Sequence, residues 1–448
     1  MASTYTICFC GTACSRDEGE ENRDWAYKIL PKSGTRKVSR ISFYDKDTGY
    51  IPVRIHLDIS GELKAVKDSV TIRGPGENDW HDQWDMSDPL DVERSFKAPA
   101  DLLRDIAPYR DAGQRRYLST HLDGWDAPAL ALHAANLAAA SGADEYNFIG
   151  HSRGAVEAIM AAWFLYAYSG ARQIRVNIFA IDPVPGSGEW YGILTQLPPN
   201  VKNYVGVYAW DHLDEGFSAV VPRPNAEMSR IPGDARKAPN PSSGSWKTLA
   251  DGCQLTDPID PRGAPSLDGI EQPRGYTLYA IRGRHNTVAG GLKTPIGGVP
   301  DESVDASKEG VDASKKGVGK KGVDARVAPV PRIVYKLARA YLTQWGTVFA
   351  TRCRVRENIR DLRKQMHEEH GVFDNMASSM ILPNAGATRS PRLLDSQRLY
   401  VRRISSLRGR SSADSVFMED AAGDPPFRLF YPCTVQRSGA GWVKWTFL

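Results

Sequence analysis

Tyr146-Asn147-Phe148-Ile149-Gly150-His151-Ser152-Arg153-Gly154-Ala155 is the stretch on which the reading of this chain turns. A short apolar run leads into a Gly-x-Ser-x-Gly string, and a long apolar helical pattern over residues 155–168 follows it. The order strand, sharp turn, helix lifts a serine hydroxyl above the end of a buried strand, and glycine on either side lets the two backbones cross. Alone, such a string arises by chance in about one chain in four of this length. The flanking elements therefore carry the inference.

Outward from Ser152, strand-like and helix-like runs alternate. Residues 5–10, 51–59 and 69–73 read as strands, the last ending in the turn Gly74-Pro75-Gly76. An alanine-rich helix closes at Gly142 just before the Tyr146 strand. After the motif come the packed helix 155–168 and three further strands, 174–181, 203–209 and 275–282. Strands that are apolar on both faces, separated by helices, predict an α/β fold: a doubly wound, mostly parallel sheet with helices on both faces.

Each of the last three strands ends beside a residue able to serve a nucleophilic serine. A hydroxyl attacks poorly until an imidazole accepts its proton, and that imidazole needs a carboxylate to fix its tautomer. His285, just past the last strand, is the expected general base; His212 is its nearest rival. Asp182 and Asp211 both lie between Ser152 and His285 at strand ends. Asp182, held extended by Pro183, is the preferred acid and Asp211 the alternative, because spacing alone does not separate them. For an oxyanion, the candidate donors are the backbone N–H of Arg153 and those of Gly11 and Thr12 in the turn after the first strand.

Composition narrows the class. The 448 residues are 41% hydrophobic and 25% charged, as in an ordinary globular protein. The first residues lack the basic and apolar regions of a secretory signal, and no run is long enough to span a bilayer. Cys8 and Cys10 alternate within a strand and read as core hydrophobes. His367-Glu368-Glu369-His370 has the wrong order for a zinc helix and reads as a solvated helix face, so neither metal nor cofactor is expected. The net charge of +4 is uneven: residues 331–448 hold 19 Lys and Arg against 10 Asp and Glu. With no recognition motif beside that charge, nucleic acid is not an expected partner.

These features divide the chain into a catalytic domain over residues 1–350 and a basic C-terminal extension over 351–448. Within the first lie a Pro- and Gly-rich insertion at 222–273, a candidate lid with Met228, Ile231, Trp246, Leu249 and Leu255 as its apolar residues, and a repetitive linker at 301–329. A last core helix is expected at 331–349.

The elbow GHSRGA, the turn FCGT, the strand end IDPV and the segment GRHNTVAGG, in that order, resemble the serine α/β-hydrolases of the type VI secretion lipase effectors. The resemblance covers roughly residues 1–300 and implies an α/β-hydrolase fold and a phospholipase-like ester hydrolase with Ser152, Asp182 and His285 as its triad. It further implies a lipid or membrane substrate, export from the cytoplasm by a specialised apparatus without a signal peptide, and secretion-apparatus and immunity proteins as partners. Two positions depart from the family pattern: Cys10 stands where an aspartate is usual, and His151 where phenylalanine is.

Overall fold

The computed structural model describes residues 3–12, 14, 26–30, 34–38, 44–76, 88–115, 124–170, 174–185, 192–194, 197–209, 219, 222, 225, 228, 246, 249, 274–292, 325–369, 400–402, 417–421, 432–435 and 442–447. Six strands form a parallel sheet in the order β4, β1, β5, β6, β7, β8: β1 Thr4–Phe9, β4 Ser69–Ile72, β5 Glu145–His151, β6 Arg175–Ile181, β7 Val201–Ala209 and β8 Tyr276–Ile281. Beyond β8, β12 (Trp442–Phe447) pairs in parallel, and β11 (Pro432–Val435), β10 (Phe417–Ala421) and β9 (Tyr400–Arg402) continue antiparallel. A separate hairpin joins β2 (Ala26–Leu30) to β3 (Gly34–Val38).

Side-chain alternation along each strand divides the core in two. Tyr5, Ile7 and Phe9 of β1 pack on one side with α2 (Ala100–Arg115), α3 (Ala127–Ser141) and α4 (Arg153–Tyr168). Cys8 and Cys10 point to the other side, toward α1 (Ile51–Ser60), α5 (Pro329–Gln344) and α6 (Ile359–Glu368). Both faces are thus covered, which is why the strands read as apolar runs. Trp246, Met228 and Leu249 from the 222–273 segment are buried in the first core; Trp246 sits edge-on to Phe164 and Tyr109 at 5.8 and 5.9 Å. Ile231 and Leu255 lie outside the described residues.

Register is pinned by a ladder of amides, buried at Asn147 and Asn177 and half-buried at Asn203. Asn147, Asn177 and Asn203 occupy paired positions on β5, β6 and β7. Asn203 donates to Asn177 at 2.7 Å, Asn177 to Asn147 at 2.8 Å, and Asn147 to Thr347 Oγ1 at 2.8 Å. A slip of one residue would strip the two buried amides of these partners, at about 1–3 kcal/mol each. The same register sets His151 level with Ile181, so the residues that follow them emerge together at the sheet's carboxyl edge.

One expected strand is a helix. Residues 51–59 alternate apolar and polar, the pattern of a half-buried strand, yet they form α1. Pro52 lies in its first turn, and Gly61 ends it in the left-handed conformation with its N–H on Leu57 O. The alternation misleads because the polar positions are buried and paired too. His56 bonds Ser69 Oγ at 2.7 Å and Leu63 O at 3.0 Å; Asp58 accepts from Thr351 Oγ1 at 2.9 Å and from Tyr335 and Arg339 of α5. Among the described residues no helix is long and apolar enough to cross a membrane.

Candidate active site

Ser152 stands between β5 and α4 with φ 57° and ψ −128°. Apart from glycines, only Ser152 and Asp182 (φ 41°) have positive φ among the described residues, so Asp182 is not extended, contrary to the expectation from the following Pro183. Both are held by the sheet's own hydrogen bonds: Ser152 N–H donates to Ile181 O at 3.0 Å and Asp182 N–H to Val207 O at 2.8 Å. The elbow's glycines are required by close approach. A Cβ on Gly150 would lie 2.6 Å from Gly154 O, and one on Gly154 would lie 2.4 Å from Cys10 O. The serine therefore sits where the first turn of α4 passes directly over the end of β1, at the positive end of a 16-residue helix.

Asp182 is fully buried. Its Oδ1 accepts from the Ala209 N–H at 3.1 Å, and its Oδ2 lies 2.7 Å from His285 Nδ1. A carboxylate oxygen accepts, so Nδ1 is the donor, and Nε2 is the ring nitrogen left that can take up a proton. The 3₁₀ turn Thr287–Ala289 follows His285, and Asp45 N–H holds that segment through Gly290 O at 2.9 Å. The structure thus brings His285 to Asp182, one of the two acids left open by the sequence. Asp211 and His212 lie outside the described residues.

Sequence reasoning passed over a second hydrogen-bonded chain. His151 Nε2 lies 3.1 Å from the His285 carbonyl, its Nδ1 lies 3.0 Å from Tyr50 Oη, and Tyr50 Oη accepts from Gly11 N–H at 2.7 Å. Gly11 thus corrects the expectation that its N–H faces an oxyanion: that N–H is spent on the tyrosine. Thr12 N–H, the next donor along the turn, meets no acceptor among the described residues. Arg153 N–H, at the first position of α4, has no acceptor within the helix.

The Arg153 side chain is buried and ties the two loops beside the serine together. Its Nε donates to Pro185 O at 2.8 Å and its Nη1 to Thr12 Oγ1 at 2.7 Å. Next to it opens a small pocket lined by Tyr109, Trp125, Val156, Met160 and Leu194. One turn along α4, Glu157 is fully buried, and among the described residues neither of its oxygens has a hydrogen-bond partner. Burial, reinforced by nearby Asp126 and opposed by Arg73 and Arg153, pushes its carboxyl well above the usual range. Burial likewise raises Asp126 to about 6. Among the described residues no cluster of His, Cys, Asp or Glu is arranged to hold a metal ion.

No family model matches the chain, nor does any curated protein. Among solved structures it is similar to the crystal structure of an uncharacterized protein from Pseudomonas aeruginosa, at 12% identity and a TM-score of 0.35. The match takes in 84% of this chain and 50% of that one, so the chain spans about half the length of that protein.

Proposed function

We propose that the chain is a serine hydrolase of the α/β-hydrolase type that cleaves carboxylic esters of lipids. The observation that carries this reading is the Asp182–His285 hydrogen bond at 2.7 Å, at the sheet edge where Ser152 is held in a strained elbow. His285 Nε2 takes the Ser152 proton as Oγ forms a bond to the ester carbonyl carbon. The carbonyl oxygen becomes an oxyanion, received by the N–H groups of Arg153 and Thr12. Collapse breaks the ester C–O bond, and the alcohol departs with the proton from His285. Water, deprotonated by the same imidazole, then attacks the acyl-enzyme; the acid is released and Ser152 recovers its proton. Asp182 stabilises the imidazolium in both halves without itself taking the proton.

The small pocket beside Arg153, where Trp125 stacks on Tyr109 at 6.0 Å, is apolar but does not by itself select lipid over a short ester. Motif order shared with the type VI secretion lipase effectors makes phospholipid in a target-cell membrane the first substrate to test, with delivery by a secretion apparatus. Wild type and Ser152→Ala are to be incubated with phospholipid vesicles and with short soluble esters, and products identified by mass spectrometry. Fatty acid released from vesicles by wild type alone is the expected result. Turnover confined to short esters removes the lipid assignment, and no turnover of either by folded protein overturns the hydrolase.

A further inference from the structure

The catalytic reading leaves one imidazole at the site without a role. We propose that His151 is a positioning residue, which fixes His285 through its backbone and links it, by way of Tyr50, to the turn at Gly11. The proposal rests on the serine-hydrolase reading above and adds to it a device for holding the base.

Proton bookkeeping along the chain has one solution. A carbonyl oxygen only accepts, so His151 Nε2 must donate to His285 O. Burial, and the neighbouring His285, hold the His151 pKa well below its ordinary value, so the ring is neutral and Nδ1 offers a lone pair. Tyr50 Oη–H therefore donates to Nδ1, and its oxygen accepts the Gly11 N–H. Burial keeps Tyr50 a neutral phenol, as this order requires.

Geometry says what this order achieves. The His151 and His285 rings lie 4.5 Å apart, tilted by 34°. Asp182 fixes one edge of the His285 ring; His151 fixes the backbone from which that ring hangs. His151 itself cannot be the base, since both of its nitrogens are committed. Because it stays neutral, it also puts no charge against His285 when that ring becomes an imidazolium. At its far end the chain reaches Gly11, next to Thr12, so the base and the oxyanion donor are set by one connected structure. Phenylalanine at this position would keep the ring contacts and lose both hydrogen bonds, which separates positioning from packing.

The test compares His151→Phe, His151→Gln and Tyr50→Phe in the full chain. Readouts are kcat and KM on a soluble p-nitrophenyl ester, the melting temperature, and the ¹³Cε1–¹H resonance of His285, assigned by its loss in His285→Gln. His151→Phe is expected to lower kcat about tenfold or more with KM nearly unchanged, and to shift or broaden the His285 resonance. Glutamine, whose amide can still donate to His285 O, is expected to recover most of the loss. Should His151→Phe fail to fold, Tyr50→Phe carries the test, with a several-fold drop in kcat expected. Wild-type kcat in His151→Phe or Tyr50→Phe, or equal losses in the Phe and Gln variants, overturns the proposal. If wild type turns over no ester, the hydrolase reading fails on its own. An unmoved His285 resonance in folded His151→Phe overturns the positioning role in either case.

Discussion

Ser152 and Asp182 occupy backbone conformations that L-residues avoid, and each such residue costs about 1–3 kcal/mol. Glycine takes this conformation without penalty, whereas alanine carries the same strain as serine. Ser152→Gly is therefore expected to melt higher than Ser152→Ala, by a difference worth about 1 kcal/mol, although both lose activity. Equal melting temperatures would mean that the elbow is relaxed. Asp182→Asn tests the other strained residue. Asparagine tolerates positive φ and can still accept from Ala209 N–H, but an amide that donates toward Nδ1 reverses the His285 tautomer. The expected outcome in an ester hydrolysis assay is a folded protein with kcat lowered by roughly 10³- to 10⁴-fold. Serine and histidine were legible in the sequence from their places at strand ends. Asp182 was preferred over Asp211 in the sequence but not separated from it, because the bond that joins it to His285 spans 103 residues.

At the scale of elements, the site is assembled by segments far apart in the chain. The loop 44–50 bridges Tyr44 to Gly291, bonds Asp45 N–H to Gly290 O and delivers Tyr50 to His151. Arg332 of α5 braces that loop against Asp45 and Asp47, both at 3.0 Å, and reaches Glu357 at 2.7 Å. Removing the guanidinium leaves Asp45, only 3% exposed, without this partner. Arg332→Ala is expected to destabilise the fold by about 2 kcal/mol and to slow modification of Ser152 by a serine-reactive probe. Lys364→Ala, which breaks the exposed 3.8 Å pair with Glu368, is the control and is expected to change neither. Denaturant melts and labelling rates read both. Parallel strands were visible in the sequence because burial on both faces makes them continuous apolar runs. α1 was not, since its buried polar residues mimic the alternation of a strand and find their partners only in the tertiary fold, Asp58 with Tyr335, Arg339 and Thr351. Local pattern cannot show a polar residue that is satisfied from the other end of the chain.

Across the whole molecule, the sheet separates two cores, and the helix beside the first carries a buried carboxyl, Glu157, whose pKa burial raises. Glu157 has an ordinary value of 4.5 and a folded value well above it. The fold therefore holds a proton that the unfolded chain releases; the stability linked to that proton is complete below pH 4.5 and declines as pH rises toward the folded pKa. Glu157→Gln, neutral throughout, is expected to gain stability relative to wild type as pH increases from 5 to 8, as read by urea melts at each pH. Parallel curves would show that the carboxyl has found a compensating charge. The mostly parallel α/β sheet was readable because one motif fixed the direction of a strand and the helix after it, and the strands around it repeated the same pattern. The His151–Tyr50–Gly11 chain was not, since no sequence spacing announces a tyrosine 101 residues away. The central claim is that Ser152 is a nucleophile activated by the His285–Asp182 pair, and its most direct measurement is site-mapped labelling with a fluorophosphonate, in which Oγ displaces fluoride from phosphorus. A single adduct on Ser152, absent from Ser152→Ala and slowed by at least about 100-fold in His285→Ala, is the predicted result. Folded wild-type protein that remains unlabelled, or that carries its adduct elsewhere, would contradict it.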